Sequence, residues 1–354
     1  MEEVVDIRLY TASQIKEWLF HNKEHEGLSD RLIDRARAHA LVSNPYVTDD
    51  MALVSAIFVD RKVAAYTYVF PDLIQKPEKR LIYWDTTLYV NPKYEGRGFA
   101  YCVIAQICEL YGEDYFDLDA ADASVENLKY QGLTVDHVPQ YLLYNKHIVR
   151  EGIRGEYAYW KYKIERCRKS NEGALQKKLG DARYNLRYVS YIDDALYSFI
   201  QVHSDGDLFL RSQETFNWIL RFPFMQESPL TKRVKRECRF SSKKLEFRIF
   251  GVCVYCRESL VGFTILRCTN DEWSVKYLYY DKSYENEVFL AVAEHLIVHP
   301  RRSFFTANKR LHDFVSEFGI FTQDTIYKKS FAYPANFDYD KTLAIQAGDG
   351  DNVT

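Results

Sequence analysis

The most informative stretch of the chain is LYVNPKYEGRGFA, residues 88–100. An apolar strand leads here into a loop with Gly96 and Gly98, and a helix with apolar periodicity starts at once. Small residues let a ligand approach the backbone, and a helix start presents unpaired N–H groups with a partial positive charge. The pattern therefore predicts an anion-binding site. Glycine spacing alone leaves one alternative open, since a tight turn between strand and helix needs similar residues.

Composition sets limits on the fold and on the partners. The chain has 354 residues, which gives room for about two domains. The hydrophobic fraction of 47% is typical of globular proteins, and the aromatic fraction of 16% favours strand-rich cores. A net charge of -3 supplies no general attraction for nucleic acid or anionic membrane, so we expect neither as a partner. The basic residues 232–244 are interpreted as a solvated loop.

The sequence matches neither the usual targeting signals nor the usual metal-binding motifs. The first residues are acidic where a secretory leader would be basic and then apolar, and no apolar run approaches the ~20 residues of a membrane helix. Seven irregularly spaced cysteines do not suggest a disulfide framework, so we expect a cytoplasmic location. The single CxxC of Cys253 and Cys256 has no further ligands at metal-site spacing, and no metal is expected.

The order of predicted elements repeats along the chain. In the first half we predict strands at 4–10, 52–59, 63–70, 80–90, 115–120, 141–149 and 157–164, and helices at 13–21, 28–42, 99–111 and 124–130. Charged residues 166–185 predict a linker. Beyond it the pattern recurs, with strands at 186–191 and 273–280, a helix at 193–203 and a hairpin at 247–268. The repetition indicates an ancient duplication, followed by a flexible tail at 341–354.

The loop resembles a known coenzyme site. Residues 95–100, EGRGFA, are similar to the acetyl-CoA pyrophosphate loop Q/R-x-x-G-x-G/A of the GCN5-related N-acetyltransferase (GNAT) family. Residues 88–92 resemble the family's strand end and proline, and Asn127, Tyr130 and Gly132 resemble its next helix. Two departures are Glu95 in place of Gln or Arg and a shortened interval from Asn127 to Gly132. Nucleotide loops of the GxxxxGK[ST] and GxGxxG types do not match.

The resemblance implies a fold and an acyl donor. It implies the α/β (α+β) class, with two tandem GNAT-like domains at 1–165 and 186–340, each a mixed, mostly antiparallel sheet flanked by helices. It implies acetyl-CoA as the donor substrate, with the pantetheine arm between two splayed strands, Leu88 and Val90 on one side and Asp119 and Ala120 on the other. Arg97 or Lys93 would assist the backbone with the phosphates. The positions that match the coenzyme site are Leu88, Val90, Glu95, Gly96, Arg97, Gly98, Phe99, Ala100 and Asn127.

The resemblance also implies proton-transfer groups. Asp85, on the strand before the loop, is the candidate base, and the alternative is a polar residue on an open sheet face. Tyr130 is the candidate acid for the departing thiolate, although any one of 28 tyrosines is more often a packing residue. Asp119 and Tyr83 are reserve candidates.

The second half departs from the coenzyme pattern. Residues 281–287, DKSYENE, contain no glycine and three acids, so we expect a degenerate module that completes the acceptor cleft or braces the first half. The expected function is acetyl transfer to a primary amine of a small molecule, by a monomer or homodimer. Two alternatives stay open, a protein or peptide N-acyltransferase and an inactive binding protein, because the acceptor is determined by loops that share no motif.

Overall fold

The computed structural model describes residues 3–145, 184–227 and 243–350. The predicted strand at 157–164, most of the predicted linker and most of the basic segment lie outside these residues. The helices are α1 Ala12–His21, α2 Arg35–Val42, α3 Phe99–Tyr111, α4 Asp122–Tyr130, α5 Asp194–Val202, α6 Gln213–Arg221, α7 Glu285–Val298 and α8 Lys309–Ser316. The strands are β1 Val5–Thr11, β2 Ala52–Val59, β3 Lys62–Lys76, β4 Arg80–Val90, β5 Tyr115–Leu118, β6 Leu133–Asn145, β7 Asn185–Val189, β8 Leu210–Arg211, β9 Gln226–Glu227, β10 Lys243–Lys244, β11 Phe247–Cys256, β12 Ser259–Thr269, β13 Glu272–Tyr280, β14 Ser303–Thr306 and β15 Phe321–Pro334.

One helix is shorter than its apolar pattern predicts. The predicted helix at 28–42 begins only at Arg35 as α2. The reason is a cap, because the Asp34 carboxylate accepts a hydrogen bond from the Arg37 N–H at 3.0 Å. Such a side chain satisfies a backbone donor that has no partner within the helix, and so fixes where the helix starts.

A single mixed sheet runs through both halves of the described chain. Its strand order is β1-β2-β3-β4-β5-β15-β6-β14-β13-β12-β11-β7, and β8 adds to β3. Most neighbours are antiparallel, and the parallel pairs are β4 with β5 and β13 with β14. The short strands β9 and β10 form a separate pair.

The last strand belongs to the sheet of the first half. β15 lies between β5 and β6, where Phe331 pairs with Leu118 and Pro334 pairs with Leu133. β6 in turn pairs with β14 of the second half. The sequence predicts a mixed sheet in each half, and the structure joins the two sheets through these shared strands. Local periodicity identifies a strand but does not identify its partner, so the exchange left no signal in the pattern.

Corresponding turns support the duplication. The Asn91 N–H donates to the Ala64 carbonyl at 2.7 Å, and the Asp281 N–H donates to the Val261 carbonyl at 3.0 Å. In each half a short 3-10 turn follows, Pro92–Tyr94 in the first and Lys282–Tyr284 in the second. The strand that precedes the predicted anion site therefore ends in the same way in both halves.

The largest hydrophobic core is common to both halves. It includes Trp84 and Phe116 from the first half and Phe216 and Tyr277 from the second, together with Phe331 of the exchanged strand. The Phe116 and Phe331 rings stack with centroids 6.3 Å apart, and Phe216 meets Tyr277 edge to face at 5.0 Å. Helices α3 and α4 cover a smaller core with Tyr115, and α7 and α8 cover the core of the second half.

The C-terminal segment, residues 341–350, is packed rather than free. Ile345, Ala347 and Asp349 are buried. The Ala344 N–H donates to the Gly206 carbonyl at 2.8 Å, which anchors the segment to the second half. For these residues the structure differs from the prediction of a flexible tail. The polar composition of the segment suggested solvent exposure, but its polar groups find partners inside the core.

Candidate active site

A gap opens between β4 and β5 at the edge where both strands end. The two strands pair only at Tyr83 with Tyr115 and at Trp84 with Phe116. A bulge follows on β4, where two consecutive residues, Thr87 and Leu88, have no partner of their own on β3. Bulges bend a strand and increase its twist. The bulge therefore bends β4 just beyond the point where its pairing with β5 ends.

Arg37 of α2 holds the bulge. Its Nη1 donates to the Thr87 hydroxyl, and Thr87 has the left-handed φ of 62° that a non-glycine residue seldom adopts. The guanidinium lies over the Tyr68 ring at 5.5 Å and over the Phe224 ring at 5.2 Å. Sequence reasoning missed Arg37, because nothing near it in the chain indicates contact with β4.

The glycine loop lies at the far end of β4 and is open to solvent. Gly96 and Gly98 have φ values of 78° and 77°, and a Cβ atom on either would meet no atom within 4 Å. Gly98 caps α3 without any side-chain hydrogen bond. The first N–H groups of a helix have no partner within the helix. The first turn of α3 therefore presents free donors to open space, which suits a phosphate group.

The charged side chains beside the loop have other contacts. Arg97 Nη1 forms an ion pair with Glu3 at 2.8 Å, and its guanidinium lies over the Tyr94 and Phe99 rings at 5.6 and 5.0 Å. Lys93 lies over the Tyr94 ring at 5.1 Å. Glu95 is exposed. In this arrangement both basic side chains of the loop are engaged with neighbouring residues, so the exposed backbone is the feature of the loop most open to an anion.

The other predicted coenzyme positions surround the same end of the sheet. Leu88 and Val90 are half-buried and pack beside the buried Phe99. Asn127 and Tyr130 belong to α4, whose neighbour is α3. Tyr130 is 79% exposed, and its ring meets Tyr101 of the first turn of α3 at 5.3 Å. The structure thus brings the predicted residues together around the gap and the loop.

Asp85 is buried below the gap with both carboxylate oxygens engaged. Oδ1 accepts from the Thr67 hydroxyl and from the Thr86 N–H, the latter at 2.8 Å. Oδ2 accepts from the Tyr115 hydroxyl at 2.9 Å, and burial raises the pKa of that tyrosine well above its usual value. A base must reach the proton that it removes. These contacts favour a structural role for Asp85, in which it fixes the strand just before the bulge.

Asp119 is less buried than Asp85. It follows the last residue of β5 with a left-handed φ of 81°, and its N–H donates to the Ser330 carbonyl at 2.8 Å. The carboxylate is half-buried and forms an ion pair with Lys329 Nζ at 2.9 Å. Its other oxygen accepts from the Tyr327 hydroxyl at 3.0 Å, and burial raises the pKa of Tyr327 to about 12.

Both partners of Asp119 come from the exchanged strand. Lys329 and Tyr327 belong to β15, and they reach Asp119 because that strand lies next to β5. No sequence pattern near residue 119 could have indicated them. The other reserve candidate, Tyr83, stacks on Tyr111 at 3.8 Å, and burial raises its pKa, which fits a packing role.

The corresponding gap in the second half is filled by the chain itself. Pairing of β13 with β14 ends at Val275 and Thr306. Beyond that point the Lys276 carbonyl accepts from the Gly348 N–H at 2.8 Å, and the Leu278 carbonyl accepts from Gln346 Nε2 at 3.3 Å. The C-terminal segment therefore takes the place of a neighbouring strand, and this stretch of β13 is buried.

The helix that follows β13 also differs from α3. α7 begins at Glu285 directly after the 3-10 turn, with no glycine loop between them. The Glu285 carboxylate accepts from the Tyr280 hydroxyl at 2.9 Å and pairs with Arg310 at 2.6 Å. A carboxylate at this end already complements the helix dipole. The second half thus has neither an open gap nor an open loop at the position of the first site.

Comparison with solved structures identifies the fold. No protein-family model and no curated protein matches the sequence. In structure the chain is similar to a candidate acetyltransferase from Pyrococcus horikoshii, with a TM-score of 0.52 and 11% identity over 96% of this chain and 92% of that one. It is also similar to a GCN5-related N-acetyltransferase from Kribbella flavida, with a TM-score of 0.50 and 11% identity over 93% and 71%. The protein therefore has the GNAT acetyltransferase fold across both halves.

The described residues also bear on metal binding and on membrane insertion. Within the three described ranges no three His, Cys, Asp or Glu side chains are grouped so that they could hold a metal ion. None of the helices in those ranges combines the length and the apolar character needed to cross a bilayer.

Proposed function

We propose that the first half binds acetyl-CoA and transfers the acetyl group to a primary amine of a small molecule. The proposal rests on two features that lie on the same strand, β4. β4 separates from β5 after Trp84, and the same strand leads to the uncapped, solvent-open start of α3. The GNAT fold of the whole chain supports the same class of reaction.

The backbone would hold the donor. The N–H groups of residues 96–100 would bind its diphosphate, apart from that of Arg97, which donates to the Tyr94 carbonyl at 3.4 Å. The loop is open at Gly96 and Gly98, and the helix start carries the positive end of the helix dipole. The half-exposed edge of β4 at Leu88 and Val90 would pair with the extended amide-containing arm, because β5 no longer occupies that edge. Asn127, on the adjacent α4, would contact the same arm.

Acyl transfer then needs one base and one acid. The amine nitrogen attacks the thioester carbonyl carbon, the C–N bond forms and the C–S bond breaks. We assign removal of the amine proton to Asp119, directly or through a water that it orders, because it is a partly exposed carboxylate directly after β5, the strand from which β4 separates. Tyr130, on the surface between α3 and α4, would protonate the departing thiolate.

Three tyrosines beside the bulge support a small acceptor. Tyr66 and Tyr68 stack with centroids 5.0 Å apart, and Tyr89 meets Tyr66 at the same distance. Aromatic faces attract an ammonium group, which would retain a protonated amine before it loses its proton. Tyr66 and Tyr68 are buried and the Arg37 guanidinium lies over Tyr68, so the half-buried Tyr89 is the ring that remains accessible to the amine. One accessible ring fits a small acceptor better than an extended chain.

A pair of matched variants tests the donor site. Gly98→Glu puts a carboxylate where the diphosphate would bind and should weaken acetyl-CoA binding by about a hundredfold or more, as measured by calorimetry. Gly319→Glu is the control, because Gly319 has a similar φ of 70° and equally open surroundings but follows α8 in the second half. Both substitutions carry a similar left-handed strain of about 1–2 kcal/mol. Unchanged affinity in Gly98→Glu, or equal loss in both variants, would contradict the proposal.

A further inference from the structure

The second half contains a separate cavity of about 540 Å³. It lies against β11 and β13, beside the C-terminal end of α7, where His295 lines it. The coenzyme loop, in contrast, precedes the N-terminal end of α3 in the first half. This volume is within the ~300–1,000 Å³ of small-molecule sites. The cavity is therefore large enough for a ligand of its own.

Aromatic rings form one wall of the cavity. Phe250 lies 6.2 Å from Trp273 and 5.7 Å from Tyr188, as measured between ring centroids. His295 is within 5.6–6.3 Å of all three rings. Rings at these separations pack edge to face or offset, and the remaining face of such a group favours a further planar ring.

The histidine in this wall is uncharged at neutral pH. His295 Nδ1 lies 2.7 Å from the Ala291 carbonyl and Nε2 lies 2.9 Å from the Tyr188 hydroxyl. Nδ1–H therefore donates to the carbonyl and Nε2 accepts from the tyrosine. Burial lowers the pKa of His295, which keeps the ring neutral. The Trp273 indole N–H is also engaged, because it donates to the His299 carbonyl at 2.7 Å. Because the polar atoms of His295 and Trp273 already have hydrogen-bond partners, the wall presents an apolar surface to a ligand.

The charged side chains around the cavity leave one positive charge in excess. Arg301 forms an ion pair with Glu246 at 2.7 Å, so these two charges cancel. Arg248, on the same strand as Phe250, is exposed and forms no ion pair within the part of the chain that the structure describes. A guanidinium in this position can bind a carboxylate through two parallel hydrogen bonds.

We infer that this cavity binds a small planar aromatic molecule with a carboxylate group. The ring would lie against Phe250, Trp273 and Tyr188, and the carboxylate would bind Arg248. The ligand would be separate from the acyl donor and would bind without it.

Calorimetry on the full chain tests the inference with indole-3-propionate as the probe, and with 3-methylindole and tryptamine as neutral and cationic analogues. We expect the anion to bind at least about tenfold more tightly than either analogue. A charge-assisted hydrogen bond between Arg248 and the carboxylate usually contributes that much to affinity. Arg248→Glu should weaken anion binding by a similar factor. Arg257→Glu, at the exposed turn that joins β11 to β12, should not change it.

A second variant examines the ring wall. Phe250→Leu keeps an apolar side chain but removes the ring, and it should weaken binding of all three probes. No binding of indole-3-propionate at about 1 mM, equal affinity for the three probes, or equal loss in Arg257→Glu would each overturn the inference. None of these results depends on acetyl-CoA, so they are independent of the proposed reaction.

Discussion

The two candidate bases near the gap, Asp85 and Asp119, differ in their surroundings. Asp85 is buried with three donors on its two oxygens, and Asp119 is half-buried with Lys329 and Tyr327. The first arrangement stabilises the fold at the bulge. The second leaves the carboxylate partly exposed, so it is more accessible to a substrate proton than Asp85 is.

Asparagine substitutions should separate these roles. Asp119→Asn should lower kcat by about a hundredfold or more because it removes the base, and it should also lower the free energy of unfolding by about 1–3 kcal/mol because the buried Lys329 loses its carboxylate partner. Asp85→Asn should lower the free energy of unfolding by about 1–3 kcal/mol, since an amide N–H₂ would face hydroxyl or N–H donors. Thiol release from acetyl-CoA with a library of amines and unfolding in urea would measure the two effects. Activity lost in Asp85→Asn but kept in Asp119→Asn would reverse the assignment.

At this scale the glycines could be predicted from sequence, but the charge partners could not. Gly96 and Gly98 stand between a strand and a helix, and that context is local. Lys329 and Tyr327 follow Asp119 by roughly 200 residues, and only the sheet topology brings them together. The left-handed φ of Thr87 has no sequence signal either, since threonine is unusual in that region.

At the scale of elements, the sequence predicts the positions of strands better than it predicts which strands pair. The hairpins of both halves and the strand before the loop were recognised from apolar runs bounded by turns. No strand is predicted for residues 321–334, so neither β15 nor its exchange into the first half follows from the sequence. The bulge in β4 likewise has no local sequence pattern, because it is defined by the register between β4 and β3.

The exchange predicts that neither half folds alone. Residues 1–183 expressed by themselves would leave β5 and β6 with an empty slot between them, and residues 184–354 would leave β15 and β14 without β6. We expect each fragment alone to aggregate, and the two co-expressed fragments to co-purify as one complex. Size-exclusion chromatography of the three preparations measures this. A monomeric first fragment with cooperative unfolding would contradict the prediction.

At the scale of the whole molecule, a buried charge cluster joins the two halves and the C-terminal segment. Arg211 Nε lies 3.0 Å from Asp72 of β3 and 3.6 Å from Asp349. The Tyr277 hydroxyl of β13 donates to Asp349 at 3.3 Å. One guanidinium faces two carboxylates, so full ionisation would leave a net buried negative charge, which is costly in a low-dielectric core. Burial accordingly raises the pKa of Asp349 to about 7.

This cluster predicts a pH dependence of stability. Between the unfolded pKa of 3.8 and the folded value of about 7, the native state binds the Asp349 proton more tightly, so the stability from this group falls as pH rises. Asp349→Asn removes this contribution. The free energy of unfolding of the variant, relative to the parent, should therefore increase by about 2–3 kcal/mol from pH 5 to pH 8. Urea unfolding at both pH values measures the difference.

Asp340→Asn provides the control within the same segment. Asp340 is exposed, and hydrogen bonds from Thr342 lower its pKa, so its contribution has the opposite sign and is lost as pH falls. A relative stability of Asp349→Asn that stays constant across the range would show that Asp349 is ionised throughout and would contradict the prediction.

The placement of β15 between β5 and β6 also determines when the sheet can be completed during synthesis of the chain. β5 ends at Leu118, and the ribosome must add about 200 further residues before Phe321 emerges. At ~5–20 residues per second, the unfinished sheet waits about 10–40 seconds during synthesis. Over that interval two strand edges are open to wrong partners, so newly made chains should depend on chaperones that bind exposed strands until translation is complete.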